Sequence, residues 1–184
     1  MVLALYHSMY IKNIILKYNF SKVQELVDGG ETRQDSIYNG LKVLDKDTDI
    51  VVIHDGARPL VEEIIIQDSI EKAQKYGAAI AVIPIKDTVK KSENSFFIDK
   101  TLNREEIWRA QTPQTFKYDI ILPAYHRAYE DKYLATDDAS IVERYGRKVK
   151  LIIGSEENIK ITTPFDIIVA DIFLKKRFGF KFKL

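Results

Sequence analysis

The chain has no cysteine in its 184 residues, which excludes disulfides and thiolate-held metal and fits a reducing compartment. Histidine is nearly as scarce. His7, His54 and His126 are scattered, so a histidine-based zinc site has no support. Charge of one sign is missing too: 28 basic and 27 acidic residues leave a formal net charge of +1. No global field draws such a protein to nucleic acid or an anionic membrane, and particular cations must do any anion binding. No apolar run reaches the roughly 20 residues that span a bilayer. Met1-Val2-Leu3-Ala4-Leu5 lacks the basic flank and the length of a signal core. These absences predict a cytoplasmic protein with neither nucleic-acid nor membrane partners. With 46% hydrophobic residues the chain can bury one substantial core, so a single domain over 1–184 is expected.

What is present alternates between strand-like runs and helical periods, the pattern of βαβ units around a mostly parallel sheet. Ile50 to Ile53, Ala79 to Ile85 and Val149 to Ile153 are apolar at nearly every position, as in strands covered on both faces. Val23 to Val27 is a weaker strand before Gly29-Gly30. Helices are predicted over Arg33 to Leu44 with Thr32 as cap, and over Glu62 to Tyr76 with a stop at Gly77. Two more are predicted over Tyr118 to Glu130 and over Asp138 to Tyr145, ending at Gly146. The last helix has the clearest start, Thr163 as N-cap and Pro164 at the first helical position.

From Lys86 to Glu106 the alternation stops. Polar residues with Val89, Phe96, Phe97 and Ile98, and a turn at Ser92-Glu93-Asn94-Ser95, read as a β-hairpin arm. An isolated hairpin buries too little to be stable alone. Either a partner subunit covers it, or it folds back on its own domain. The basic and aromatic stretch from 175 to 184 is expected to be a frayed tail, although RNA stacking would suit its composition.

Several segments can carry chemistry. His54-Asp55-Gly56-Ala57-Arg58-Pro59 follows a strand, where open α/β sheets present ligand-binding groups. Asp55 can hold a ribose hydroxyl or face a metal-bound phosphate, and Arg58 can fork onto phosphate oxygens; the two could equally pair to close a loop. Gly29 to Ser36 joins a strand to a helix, allowing close backbone approach and offering free N–H groups, although Gly-Gly there is often only a turn. Arg104, Arg109 and Gln111-Thr112-Pro113-Gln114 suit a polyol phosphate. Thr136-Asp137-Asp138-Ala139-Ser140 also reads as a plain N-cap. Lys160 is a single cation in an apolar strand ahead of a capped helix, and by local argument the best phosphate ligand.

These segments stand in the order and spacing of one family. With Asp87-Thr88-Val89-Lys90, Trp108 to Gln114 and Asn158 to Pro164, the chain resembles 2-C-methyl-D-erythritol 4-phosphate cytidylyltransferases from about Tyr10 to Leu174. The resemblance implies a Rossmann-like nucleotidyltransferase fold and a homodimer whose arms embrace. It implies that Gly30, Ser36, Asp55, Ala57 and Lys160 hold CTP, and that Asp55, Arg58, Thr112 and Thr136 face the methylerythritol phosphate. Thr88 and Arg104 would reach the neighbouring subunit's site, and Lys160, Arg104 and Asp55 would carry catalysis. Mg²⁺ would be held mainly through the CTP phosphates. The substrate phosphate would attack the α-phosphorus of CTP and release pyrophosphate, by positioning and charge neutralisation rather than a covalent nucleophile.

Family members begin with a strand and a glycine-rich loop bearing an Arg and a Lys. Neither precedes Tyr10, and Tyr10 to Tyr18 reads as the helix after the second strand. The expectation is an N-terminally truncated chain lacking two triphosphate-gripping cations, each preorganised donor being worth roughly 3–4 kcal/mol. A ribitol 5-phosphate cytidylyltransferase and a non-catalytic fragment that binds sugar phosphate are the alternatives.

Overall fold

The computed structural model describes residues 2–3, 8–93 and 96–179. The chain opens with strand β1 (Val2–Leu3), helix α1 (Ser8–Tyr18) and strand β2 (Val27–Asp28), and β1 pairs parallel to β2. Helix α2 (Arg33–Lys42) starts where predicted. The Thr32 hydroxyl accepts from the Asp35 N–H while the Asp35 carboxylate accepts from the Thr32 N–H, a reciprocal capping box.

Strand β3 (Ile50–Ile53) has the predicted bounds. Helix α3 (Glu63–Tyr76) stops at Gly77, whose φ of 90° is left-handed and open to a residue without Cβ. Strand β4 (Ala78–Pro84) is buried from Ala78 through Ile83, which explains its unbroken apolar sequence. Strands β5 (Lys90–Lys91) and β6 (Lys100–Thr101) pair antiparallel, so the arm is a hairpin. Asn94 and Ser95 of its expected turn lie outside the described residues.

Strand β7 (Trp108–Lys117), helices α4 (Tyr118–Glu130) and α5 (Asp138–Arg144), strand β8 (Lys150–Ile153) and helix α6 (Pro164–Arg177) complete the chain. One sheet has the order β3-β7-β4-β8, with β4 and β8 parallel. The chain divides into two compact units, Met1–Val51 with Phe116–Lys148, and Val52–Thr115 with Val149–Leu184. In the first, α4 packs on α2 and α5 around Leu41, Phe116, Ile121, Tyr125 and Val142. In the second, α3 lies on β4 and β8 over Ile65, Ala73, Ile80, Val82 and Ile152.

Three readings need correction, and one strand was not read at all. The weak strand at 23–27 survives only as Val27–Asp28. The run 108–117 is a full strand that the sequence conceals, because its inward residues are polar and it contains Pro113, joined to Thr112 by a cis peptide bond. Asn158 to Thr162 is loop, not strand: Ile161 makes one backbone bond to Ala57 O (2.8 Å), and the Thr162 N–H turns to the Asp166 carboxylate (2.9 Å). Lys175, Lys176 and Arg177 are the last turn of α6 rather than a frayed tail. The Glu157 carboxylate accepts from Lys176 Nζ (2.8 Å) and Arg177 Nε (3.3 Å), which fastens that turn. Phe180 to Leu184 lie outside the described residues.

Candidate active site

In the second unit, β3 ends at Ile53 and the chain turns sharply, the Arg58 N–H donating to Asp55 O (2.9 Å). One chain of bonds fixes this corner. His54 Nε2 lies 3.0 Å from Arg58 O, which can only accept, so Nε2 carries the proton. In that tautomer Nδ1 accepts from the Thr112 hydroxyl (3.0 Å), and the hydroxyl oxygen accepts from the Asp55 N–H (3.0 Å). The buried Thr112 hydroxyl, expected to face the sugar phosphate, is bonded on both sides within the corner.

The Asp55 carboxylate lies 3.0 Å from Lys160 Nζ and 3.6 Å from Arg58 Nε. Arg58 also donates from a terminal nitrogen to Asn158 O (2.7 Å). Burial pulls its guanidinium below the ordinary arginine value, with Asp55 opposing the shift. Two cations on one carboxylate leave a local excess of positive charge, suited to an anion. The Ile161-to-Ala57 bond joins the Lys160 loop to the corner through its backbone.

That loop is anchored from below. Asn158 is fully buried, and its amide donates to Thr112 O (2.8 Å) and Gln111 Oε1 (3.2 Å). Gln111 donates to Ser155 O (2.8 Å). A Cβ on Gly154 would stand 2.4 Å from Gln111 Oε1, so this approach requires glycine. In the sequence Gln111 is only one member of the run through Gln114 and Asn158 only a motif neighbour of Lys160, so this anchoring role of the two amides was not visible there.

Thr88 and Arg104 are exposed at the arm. Arg104 donates to Lys86 O (3.0 Å), which ties it to the arm's own base. Glu156 there pairs with Lys86 (2.9 Å) and Arg109 (2.7 Å).

The first unit holds the remaining expected residues. The Gly30 N–H donates to Ser36 Oγ (3.0 Å), and that hydroxyl donates to Thr32 O (2.9 Å), closing the loop on the start of α2. A Cβ on Gly30 would lie 2.2 Å from Asp35 Cβ, so the loop closes only with glycine there. Asp35 also accepts from the Tyr129 hydroxyl; this bond first, and Thr32 second, hold its carboxyl below the usual range. Arg33 forks onto Asp138, NH1 to Oδ1 at 3.0 Å and NH2 to Oδ2 at 2.7 Å. Asp138 is 0% exposed and also accepts from the Tyr125 hydroxyl, whose acidity burial suppresses, so Tyr125 stays a donor. Asp137, not Asp138, is the N-cap of α5, and Thr136 stands exposed just before it.

A mostly parallel sheet, a cation-flanked carboxylate at the end of a strand and a glycine loop opening a helix define an α/β enzyme that handles phosphorylated ligands. Its kind is settled by comparison. The family model for 2-C-methyl-D-erythritol 4-phosphate cytidylyltransferase (IspD) matches residues 1–176, and the chain belongs to that nucleotidyltransferase family. The match starts at residue 1 rather than near Tyr10.

The enzyme of that name from Pelotomaculum thermopropionicum is 51% identical over 166 residues, 90% of this chain and 70% of the relative. The one from Alkaliphilus oremlandii is 52% identical over 166 residues with the same coverage. Among solved structures, the 4-diphosphocytidyl-2C-methyl-D-erythritol synthase of Anaerococcus prevotii superposes with a TM-score of 0.85 at 35% identity, covering 95% of this chain and 77% of that one. The 2-C-methyl-D-erythritol 4-phosphate cytidylyltransferase of Thermus thermophilus gives 0.74 at 33% identity, covering 82% and 73%.

Proposed function

We propose that this chain transfers the cytidylyl group of CTP to 2-C-methyl-D-erythritol 4-phosphate. A phosphate oxygen of the sugar attacks the α-phosphorus, the bond to the β-phosphate breaks, and pyrophosphate leaves. The observation that carries the reading is the Asp55 carboxylate held between Lys160 and Arg58 at the end of β3. The relatives' shared name supplies the substrate and favours methylerythritol over ribitol phosphate.

Gly30, Ser36, Asp55, Ala57 and Lys160 are assigned to the nucleotide, and Arg58, Thr88, Arg104 and Thr136 to the sugar phosphate. Thr112 is assigned to the sugar phosphate as well, and its hydroxyl also holds the Asp55 backbone and contacts the His54 ring. Lys160 neutralises charge that builds on the α-phosphate, and Asp55 sets where Lys160 stands before substrate arrives.

Mg²⁺ is proposed to travel on the triphosphate. Among the described residues no group of three or more His, Asp or Glu side chains is placed to hold an ion, so no step is assigned to one here. Homodimerisation through the arm is proposed on Phe96, Phe97 and Ile98, exposed side chains that a second copy would cover. A cytoplasmic location is proposed on the absence of cysteine; among the described residues no helix is long and apolar enough to cross a membrane.

The test is pyrophosphate release from CTP, Mg²⁺ and methylerythritol phosphate. Saturable release supports the assignment. No release, or faster turnover of ribitol 5-phosphate, overturns it.

A further inference from the structure

We propose that Gln34 and Arg33 are positioning residues that clamp the 133–138 segment to the start of α2. The glycine loop and Thr136 then order together, and binding of CTP favours binding of the sugar phosphate. This rests on the ligand assignments above, and all of it lies within the first unit.

The Gln34 side chain is buried, and both ends of its amide engage backbone. Nε2 donates to Tyr133 O (3.0 Å), and Oε1 accepts from the Ala135 N–H (2.9 Å). One side-chain amide thus satisfies two peptide groups of a segment that has no helix or strand of its own. One residue earlier, Arg33 makes its two bonds to Asp138, the first residue of α5. Thr136 stands between the two grips.

The other side of Gln34 and Arg33 is the glycine loop. Ser36, two residues on from Gln34, receives the Gly30 N–H, and Thr32, one residue before Arg33, caps α2. A ligand that orders Gly30 and Ser36 therefore stiffens the helix turn from which Gln34 and Arg33 project. The segment carrying Thr136 loses freedom with it, so a second ligand has less ordering left to accomplish. By linkage the gain is reciprocal. A purely structural contact would stabilise the fold without linking two ligands.

Two variants and one wild-type measurement test this. Gln34→Leu keeps the bulk and removes both bonds; Gln34→Glu keeps the acceptor and removes the donor to Tyr133 O. In both, KM for methylerythritol phosphate at saturating CTP should rise about tenfold, the size of an ordinary coupling between sites, while affinity for CTP alone, without the sugar phosphate, stays within about twofold. In the wild type, CTP should slow hydrogen exchange at the Ala135 amide, and in Gln34→Leu that protection should disappear. An equal loss in binding of CTP alone, unchanged KM, or an Ala135 amide indifferent to CTP overturns the proposal. Absence of turnover in the wild type refutes the assigned reaction, whereas exchange at Ala135 with CTP alone reads the clamp without turnover.

Discussion

The Arg33–Asp138 pair should show an asymmetry when its halves are removed separately. Asp138 is fully buried while the Arg33 side chain is 37% exposed. Arg33→Met leaves a buried carboxylate with the Tyr125 hydroxyl but without its bidentate cation, and breaking a buried pair this way costs about 3–5 kcal/mol. Asp138→Asn removes the charge from the interior, keeps an acceptor for Tyr125, and leaves a guanidinium that water can reach. Its cost should be about 1–3 kcal/mol, the range for a lost buried hydrogen bond. Combining the two substitutions should therefore be less damaging than Arg33→Met alone, a favourable coupling of roughly 1–3 kcal/mol between residues in contact. Urea unfolding followed by circular dichroism reads this as a shift in midpoint at constant slope. If Arg33→Met proves milder than Asp138→Asn, Asp138 reaches water in solution and the argument from burial fails.

Four further outcomes are expected. Lys160→Ala should lower kcat/KM by about 10²–10³, the usual loss for a preorganised charge partner, in a steady-state pyrophosphate assay. Arg104→Ala should also impair turnover, and mixing it with Lys160→Ala subunits should restore activity if the arm acts in trans; failure to restore it would assign Arg104 to its own subunit. Gly30→Ala must displace Asp35 from a 2.2 Å approach, and titration calorimetry should show CTP binding weakened about tenfold or more, the reach of a 1–3 kcal/mol overpacking strain. The Asp35 carboxyl titrates below its ordinary 3.8 in the folded protein, so its stabilising effect is complete above pH 3.8 and is lost as pH falls through the lower folded value. The gap in melting temperature between wild type and Asp35→Asn should accordingly close on acidification below that point; a gap that widens there would contradict the sign.

The legible parts of this chain are those whose causes are local. Thr32 with Asp35, and Thr163 with Pro164 and Asp166, start helices through bonds no more than four residues long, and the sequence places both caps correctly. Gly77 ends α3 because its own φ is left-handed. Strand β7 was illegible for the opposite reason. Gln111 and Thr115 are buried polar residues, and their partners are distant: Ser155 and Asn158 for the first, the Ser69 hydroxyl (2.8 Å) for the second. Without those partners a buried Gln or Thr reads as surface. The role of Asp138 was hidden in the same way, since a cap motif accounts for Asp137 and nothing nearby announces Arg33, 105 residues away. The candidate residues at the corner were visible as a motif, but the direction of its hydrogen bonds was not, because His54 takes its tautomer from a carbonyl four residues on and a hydroxyl 58 residues on.

The corner also separates two cations that look equivalent in sequence. Arg58 is almost enclosed, with a side chain 13% exposed and one terminal nitrogen bonded to Asn158 O, so moving it would leave that carbonyl to the long Gln111 Nε2 bond (3.4 Å) and unpack the turn. Lys160 is 44% exposed and pairs with Asp55 at 3.0 Å, a contact that water can replace at little cost. An arriving phosphate therefore meets a guanidinium that cannot follow it and an ammonium that can. Under the proposed reaction the negative charge shifts from the attacking oxygen toward the departing pyrophosphate, and a charge already standing beside the α-phosphate stabilises it as it passes. Arg58 is proposed to locate the substrate, and Lys160, held by Asp55 until substrate arrives, to meet the charge that builds on the α-phosphate.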